Sequence, residues 1–204
     1  MKKIIFTLFC LSLGILPMQA YSQNTLIAES DPVENSYLVA MLENGQVING
    51  TFPGWCMNAN LPIRFGDVHS YTFYSSLLNQ YPDGLIDKPE NLDAVNWLIN
   101  QKLVGKPSAG NLGPFTFGDQ QVAIWTLLNF NFTAGESVDP WNQTRVNELV
   151  SKALARGNGF TPRCNQIVGM IVDPRNQDDE KAQTLIIEIP RRYFPKCGVP
   201  QSGQ

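Results

Sequence analysis

Two side chains of this sequence could form a covalent bond with each other, the thiol of Cys56 and the carboxamide of Gln121. Cys56 lies in a Gly-Trp-Cys-Met run, and Gln121 lies in Phe-Gly-Asp-Gln-Gln-Val-Ala-Ile-Trp. A cysteine thiolate is a good nucleophile. If it attacks a carboxamide carbon and ammonia is lost, the product is an internal thioester. Primary amines open a thioester to a stable amide. The two residues therefore predict one reaction per molecule and not enzymatic turnover.

The element that must position Gln121 is a helix that starts near Asp119. A carboxylate at that place can cap the free N–H groups of the first turn. Gln121 would then lie near the positive end of the helix dipole, where its carbonyl is polarised. An apolar face follows along the helix, formed by Val122, Ile124, Trp125, Leu127 and Leu128.

A thioester must be kept from water until an amine arrives. The aromatic residues close to the two reactive positions in sequence are Trp55, Phe115, Phe117 and Trp125, and we expect them to form an apolar wall. The carboxylate of Asp119 would oppose formation of a thiolate if it pointed at the cysteine. Cys56 itself is expected just after a strand.

Of the four cysteines, Cys10 would be removed with an N-terminal signal peptide, and the other three separate into one pair and one single residue. Cys10 lies in the N-terminal apolar run, and Cys164 and Cys197 bracket the C-terminal segment. A disulfide between the latter two would contribute about 3–4 kcal/mol in the chain-entropy model. Cys56 is then left over, either as a buried structural thiol or as a reactive one.

The first 20 residues are typical of a signal peptide. Lys2 and Lys3 precede an apolar run over residues 4–16, and a small residue, Ala20, ends a cleavage site. The run is too short to span a bilayer, and no second apolar span follows. We therefore expect a secreted or cell-surface protein, with a folded domain over residues 24–197 and a disordered tail over residues 198–204.

Composition narrows the functional class. The chain has 204 residues, 43% hydrophobic residues and a formal net charge of -3. These values favour one domain with a sizeable core and speak against a nucleic-acid partner. No zinc quartet, phosphate loop or calcium-loop spacing is present, so neither a metal nor a cofactor is predicted.

The pattern of elements predicts an α+β fold, with a β-sandwich or other β-rich body and an inserted helical subdomain at about residues 68–158. Predicted strands cover residues 24–30, 36–42, 46–52, 166–172 and 183–189. Pro53 and Gly54 are expected to end the third strand. Predicted helices cover residues 70–79, 91–103 and 143–156, with the Asp119 helix between the last two.

Two motifs resemble those of bacterial surface thioester domains. That family has an aromatic-Cys element and a Thr-Gln-x-Ala-Ile/Val-Trp element, which correspond here to Trp55-Cys56 and to Gln120-Gln121-Val122-Ala123-Ile124-Trp125. Asn79-Gln80-Tyr81-Pro82 is similar to a turn often found between them. The resemblance covers about residues 30–195. This chain has Gln120 in place of Thr, a short spacing between the motifs, and no wall-anchoring motif or proline-rich stalk.

The resemblance implies an adhesin-like function. It implies a thioester between Cys56 and Gln121 on a β-sandwich with a helical insertion. It also implies covalent attachment to an amine-bearing partner, either a protein lysine or a polyamine on a host or a neighbouring cell.

Two other functions stay open. Cys56 and His69, the only histidine, could form the dyad of a secreted cysteine hydrolase or transferase. Alternatively, the chain could be a non-covalent module that binds carbohydrate or protein, with Gln121 an ordinary first-turn residue and Trp125 a core residue.

Overall fold

The computed structural model describes residues 24–43, 48–58, 61–128, 138, 140–194 and 197. The signal peptide predicted over residues 1–20 and the tail predicted over residues 198–204 lie outside the described residues. Across the described ranges, no helix is both long and apolar enough to cross a membrane.

Six antiparallel strands close into a barrel in the order β1-β2-β3-β6-β5-β4. The strands are β1 Thr25–Ser30, β2 Leu38–Glu43, β3 Gly50–Cys56, β4 Val68–Ser75, β5 Ile167–Arg175 and β6 Leu185–Pro190. The predicted β-rich body is confirmed. The barrel takes the place of the predicted sandwich, because β4 pairs with both β1 and β5 and so joins the two free edges.

Alternate residues of each strand face the barrel interior. Leu38 pairs with Gly54, and Gly54 pairs with Ile187, so these three residues share the inner face. A Cβ atom at Gly54 would lie 2.7 Å from a methyl carbon of Leu38, so any other residue there would require the Leu38 side chain to move. The prediction that Pro53 and Gly54 end the strand was wrong, since both lie within β3.

Three α-helices lie between β4 and β5 in the chain, α1 Leu92–Gln101, α2 Phe117–Leu127 and α3 Gln143–Gly157. They cover the outer side of the barrel, with α1 against β5, α2 against β3 and α3 against both other helices. A Cβ atom at Gly157 would lie 2.6 Å from the Cα of Ala94, which allows α3 to approach α1 closely. The helices predicted over residues 91–103 and 143–156 are confirmed.

The helix predicted over residues 70–79 was wrong, because β4 occupies residues 68–75. Aromatic and leucine residues at helical spacing suggested a helix, but aromatic residues also favour strands. His69 and Tyr71 are buried, whereas Val68 and Thr72 are exposed, which is the period-two pattern of a strand. The helical part of the fold thus begins later than the predicted boundary near residue 68.

Candidate functional site

Cys56 is the last residue of β3 and is fully buried. It pairs with Leu185, and by alternation its side chain shares the inner face of the sheet with Gly54. Burial raises the pKa of the thiol well above its ordinary value, because a low-dielectric interior disfavours the thiolate. Among the described residues Cys56 is the free cysteine. It is therefore a neutral thiol that needs activation before it can react.

The edge of β3 at Cys56 is not covered by β2. The pairing between these strands reaches Leu38 opposite Gly54 and extends no further toward Cys56. Just before Leu38, the carboxylate of Asp31 accepts hydrogen bonds of 2.8 Å from both the N–H and the hydroxyl of Ser36. This turn ends the pairing, so the backbone groups of Cys56 must find another partner.

The side chain of Gln121 is that partner. The N–H of Cys56 donates to Oε1 of Gln121 over 2.8 Å, and Nε2 of Gln121 donates to the carbonyl oxygen of Cys56 over 2.7 Å. One carboxamide thus satisfies both backbone groups, as a paired strand residue would. Because both bonds run to a single residue, the carboxamide of Gln121 lies against the backbone of the residue that carries the thiol.

Helix α2 begins earlier than the sequence suggested. Its N-cap is Thr116, whose hydroxyl accepts from the N–H of Asp119 over 3.1 Å, while the Asp119 carboxylate accepts from the N–H of Thr116 over 2.8 Å. This capping box makes the assignment of Asp119 as the N-cap wrong. Gln121 is consequently the fifth helical residue, beyond the first turn where the helix dipole acts. The N–H of Cys56 polarises its carbonyl instead.

The buried carboxylate of Asp119 is directed toward α3. It accepts hydrogen bonds from the N–H of Asn142 over 2.7 Å and from Nε of Arg145 over 2.5 Å. Asn142 is the N-cap of α3, so Asp119 joins the starts of two helices. Its charge is matched by Arg145 and does not oppose the thiol. Asp119 therefore fixes the helix that carries Gln121.

Trp55 lies on the opposite face of β3 from Cys56 and is fully buried. Its Nε1 donates to Oε1 of Glu188 over 2.9 Å, and the ammonium of Lys102 forms an ion pair with the other carboxylate oxygen. Glu188 and Lys102 are absent from the sequence-based site. The available signal was a lone acid in the apolar strand β6.

Phe117 and Tyr37 form an aromatic pair beside the site. Their ring centroids lie 6.4 Å apart, and both side chains are half-buried. Burial raises the pKa of Tyr37, and the nearby Cys56 raises it further. Phe117 lies one turn before Gln121 on α2, so the pair borders both reactive residues. No sequence motif indicated Tyr37, because its proximity to the site depends on how β2 meets β3.

The two other aromatic residues of the predicted wall are core residues. Trp125 is buried and follows Gln121 by one turn, so it lies on the same side of α2. Phe115 is also buried. The ammonium of Lys152, a residue of α3, lies 5.6 Å from the centroid of its ring, so the Phe115 side chain faces α3. Of the predicted wall, Phe117 and Trp125 share the helix face of Gln121.

His69 faces the barrel interior and is buried. Within the described part of the chain, neither ring nitrogen has a hydrogen-bond partner. The nucleophile–base hydrogen bond that a Cys56–His69 dyad requires is thus absent. The described residues also contain no group of three or more histidine, cysteine or acidic side chains that could hold a metal ion.

Cys164 and Cys197 form the predicted disulfide, with Cα atoms 5.1 Å apart and a sequence separation of 33. The bond ties the C-terminal end of the described chain to the segment before β5. It leaves the thiol of Cys56 unpaired, as the cysteine count suggested.

Comparisons with known proteins gave one result. No protein-family model matches the sequence, and no curated protein matches it. Among solved structures, the N-terminal thioester domain of a surface protein from Clostridium perfringens is similar, with a TM-score of 0.44 and 13% sequence identity. The match covers 82% of this chain and 100% of that one. At this level of similarity, neither family nor function follows from the comparison.

Proposed function

We propose that Cys56 and Gln121 form an internal thioester and that the chain uses it to attach covalently to a primary amine. The observation that supports this most directly is the pair of hydrogen bonds between the Gln121 carboxamide and the backbone of Cys56. These bonds hold the electrophilic carbon beside the residue that carries the nucleophile. Proximity of this kind is a major source of rate acceleration.

In the first step the sulfur of Cys56 attacks the side-chain carbonyl carbon of Gln121. The C–S bond forms, the C–N bond breaks, and the nitrogen leaves as ammonia with the proton of the thiol. The N–H of Cys56 donates to Oε1 and stabilises the charge that develops there. Burial opposes thiolate formation, so this polarisation of the carbonyl offsets part of the barrier.

In the second step a primary amine attacks the same carbon. A C–N bond forms, the C–S bond breaks, and the sulfur regains a proton from the amine. Loss of ammonia has removed the donor to the carbonyl oxygen of Cys56, and an approaching amine N–H can replace it. A buried carbonyl without a donor is unfavourable, so the site favours a nucleophile that carries N–H groups.

On this proposal the partner is a lysine side chain of a protein, or a polyamine, on a host or a neighbouring cell. The chain acts as a secreted or surface-exposed, adhesin-like module, and each molecule reacts once because Gln121 is consumed. A disulfide is typical of proteins in oxidising compartments, so the Cys164–Cys197 bond supports export.

The test is the intact mass of the mature protein. We expect a deficit of one ammonia in the wild type and in the His69→Ala variant, and no deficit in Cys56→Ala or Gln121→Ala. Methylamine should add its full mass to the wild type and expose one free thiol after denaturation. A wild type of full mass, with a titratable Cys56 thiol before any amine is added, would refute the proposal. Loss of reaction in His69→Ala would favour the hydrolase instead.

A further inference from the structure

A cavity of about 280 Å³ lies beside the site, on the Trp55 face of β3. Its volume is just below the roughly 300–1,000 Å³ of small-molecule sites. It is lined by Asn35, Pro53, Lys102, Val104, Gln120 and Glu188. The same helix and strand carry the reactive pair, since Gln120 directly precedes Gln121 and Pro53 lies on β3 with Cys56.

Two acceptors of this cavity are buried. Gln120 is 2% exposed, and its Oε1 has no hydrogen-bond partner among the residues that the structure describes. Glu188 is 4% exposed and accepts from Trp55 with one carboxylate oxygen. Buried polar atoms are rarely left without a partner, so Oε1 of Gln120 calls for a donor from outside the described chain.

The other oxygen of Glu188 is already bound to an alkylammonium group, that of Lys102. The Lys102 side chain is 54% exposed, so it can move into solvent. A second alkylammonium group that replaced it at Glu188 would leave the charge of the cavity unchanged. Such an exchange avoids the cost of burying an additional or unpaired charge.

The remaining walls suit a hydrocarbon chain. Pro53 and Val104 contribute apolar surface to the cavity, along which a methylene stem can pack while its charged end reaches the acceptors. We propose that this cavity binds an aminoalkyl group of the amine-bearing partner, with its ammonium on Gln120 and on Glu188 in place of Lys102, while a different, neutral amine of the partner attacks Gln121. This assignment of the docking site rests on the proposed thioester function.

The test uses the Cys56→Ala variant, which cannot form the thioester, and n-butylammonium as the probe. Binding is followed by NMR chemical shifts of the Gln120 side-chain amide and of neighbouring backbone groups. We expect saturable binding that weakens about tenfold in Gln120→Met, since a charge-assisted hydrogen bond is lost. Lys102→Ala should bind the probe several-fold more tightly, because the internal competitor is removed. Gln143→Met, at an exposed glutamine on α3, is the matched control.

The outcomes separate the two proposals. Binding that is unchanged in both Gln120→Met and Lys102→Ala, or n-butanol binding as well as n-butylammonium, would overturn the assignment of the cavity. A mass deficit in the wild type together with no binding would also overturn it while the thioester stands. Saturable binding that responds to both variants would uphold the cavity as an alkylammonium site even if the wild type had full mass.

Discussion

The strongest quantitative prediction is a thermodynamic coupling between Cys56 and Gln121. A thioester would close a loop across a sequence separation of 65. In the chain-entropy model a cross-link over a loop of that length contributes about 4 kcal/mol. Cys56→Ala removes this link and a buried sulfur, for a total loss of about 5 kcal/mol. In that variant Gln121 keeps its nitrogen, so both backbone groups at position 56 are paired.

Gln121→Met keeps the side-chain volume but removes the acceptor of the Cys56 N–H, while the Cys56 carbonyl oxygen has already lost its donor in the cross-linked wild type. Leaving that N–H without a partner costs about 1–3 kcal/mol, and with the lost cross-link the total is about 5–7 kcal/mol. The double variant loses the cross-link only once. It should therefore be less destabilised, by about 4 kcal/mol, than the sum of the single variants.

Guanidinium unfolding measures the loss of stability of the two single variants and of the double variant relative to the wild type. It is done at mildly acidic pH, because attack of hydroxide on the thioester is slow there. Methylamine-treated wild type is a control with the same residues but no cross-link, and it should lose about 4 kcal/mol. Additivity of the two variants within about 0.5 kcal/mol, in proteins that still unfold cooperatively, would mean that no covalent link exists.

Three further predictions concern the groups around the site. Burial raises the pKa of the free Cys56 thiol in Gln121→Met, so the free energy of unfolding should fall as pH rises above about 9, where the unfolded thiol ionises and the folded one does not. The Cys56→Ala/Gln121→Met double variant, which has no such thiol, should lack this fall in the same denaturant titration. Arg145→Met leaves the buried carboxylate of Asp119 without its counter-charge and should cost about 3–5 kcal/mol by the same unfolding assay, with recovery in the Arg145→Met/Asp119→Asn double variant. Cys164→Ser should lower stability by about 3–4 kcal/mol and leave the mass deficit intact, and loss of the deficit would contradict the separation of disulfide and site.

The sequence predicted the elements whose periodicity was distinct and failed where two periods fit equally. The apolar stripe of α3 and the Ile/Val-rich strands β5 and β6 have one interpretation each. In β4, the order Tyr-Thr-Phe-Tyr allows both a helix and a strand, and only the pairing with β1 and β5 selects the strand. Closure of the barrel depends on that same long-range pairing, so it could not be read from local pattern.

In the candidate site, too, some features were predictable from the sequence and others depended on long-range contacts. The residue types of Cys56 and Gln121 suggested their relationship, and the structure brings them into hydrogen-bond contact. The reason for the contact was not visible, because it depends on the Asp31 turn, after which β2 begins only at Leu38. Glu188 reaches Trp55 from a strand that follows it by more than a hundred positions, and no local motif links them.

The proposed chemistry has a mechanical consequence. Once an amine has opened the thioester, the partner is bonded to Gln121 on α2, and Gln121 is no longer bonded to the barrel residue Cys56. Any pull on the partner then passes through α2, whose start is fixed by the capping box of Thr116 and by the bonds of Asp119 to Asn142 and Arg145. A buried, charge-matched carboxylate at the base of the loaded helix resists such a force better than an exposed one, because its loss leaves charges unpaired. The same network that positions Gln121 for reaction therefore also holds the product.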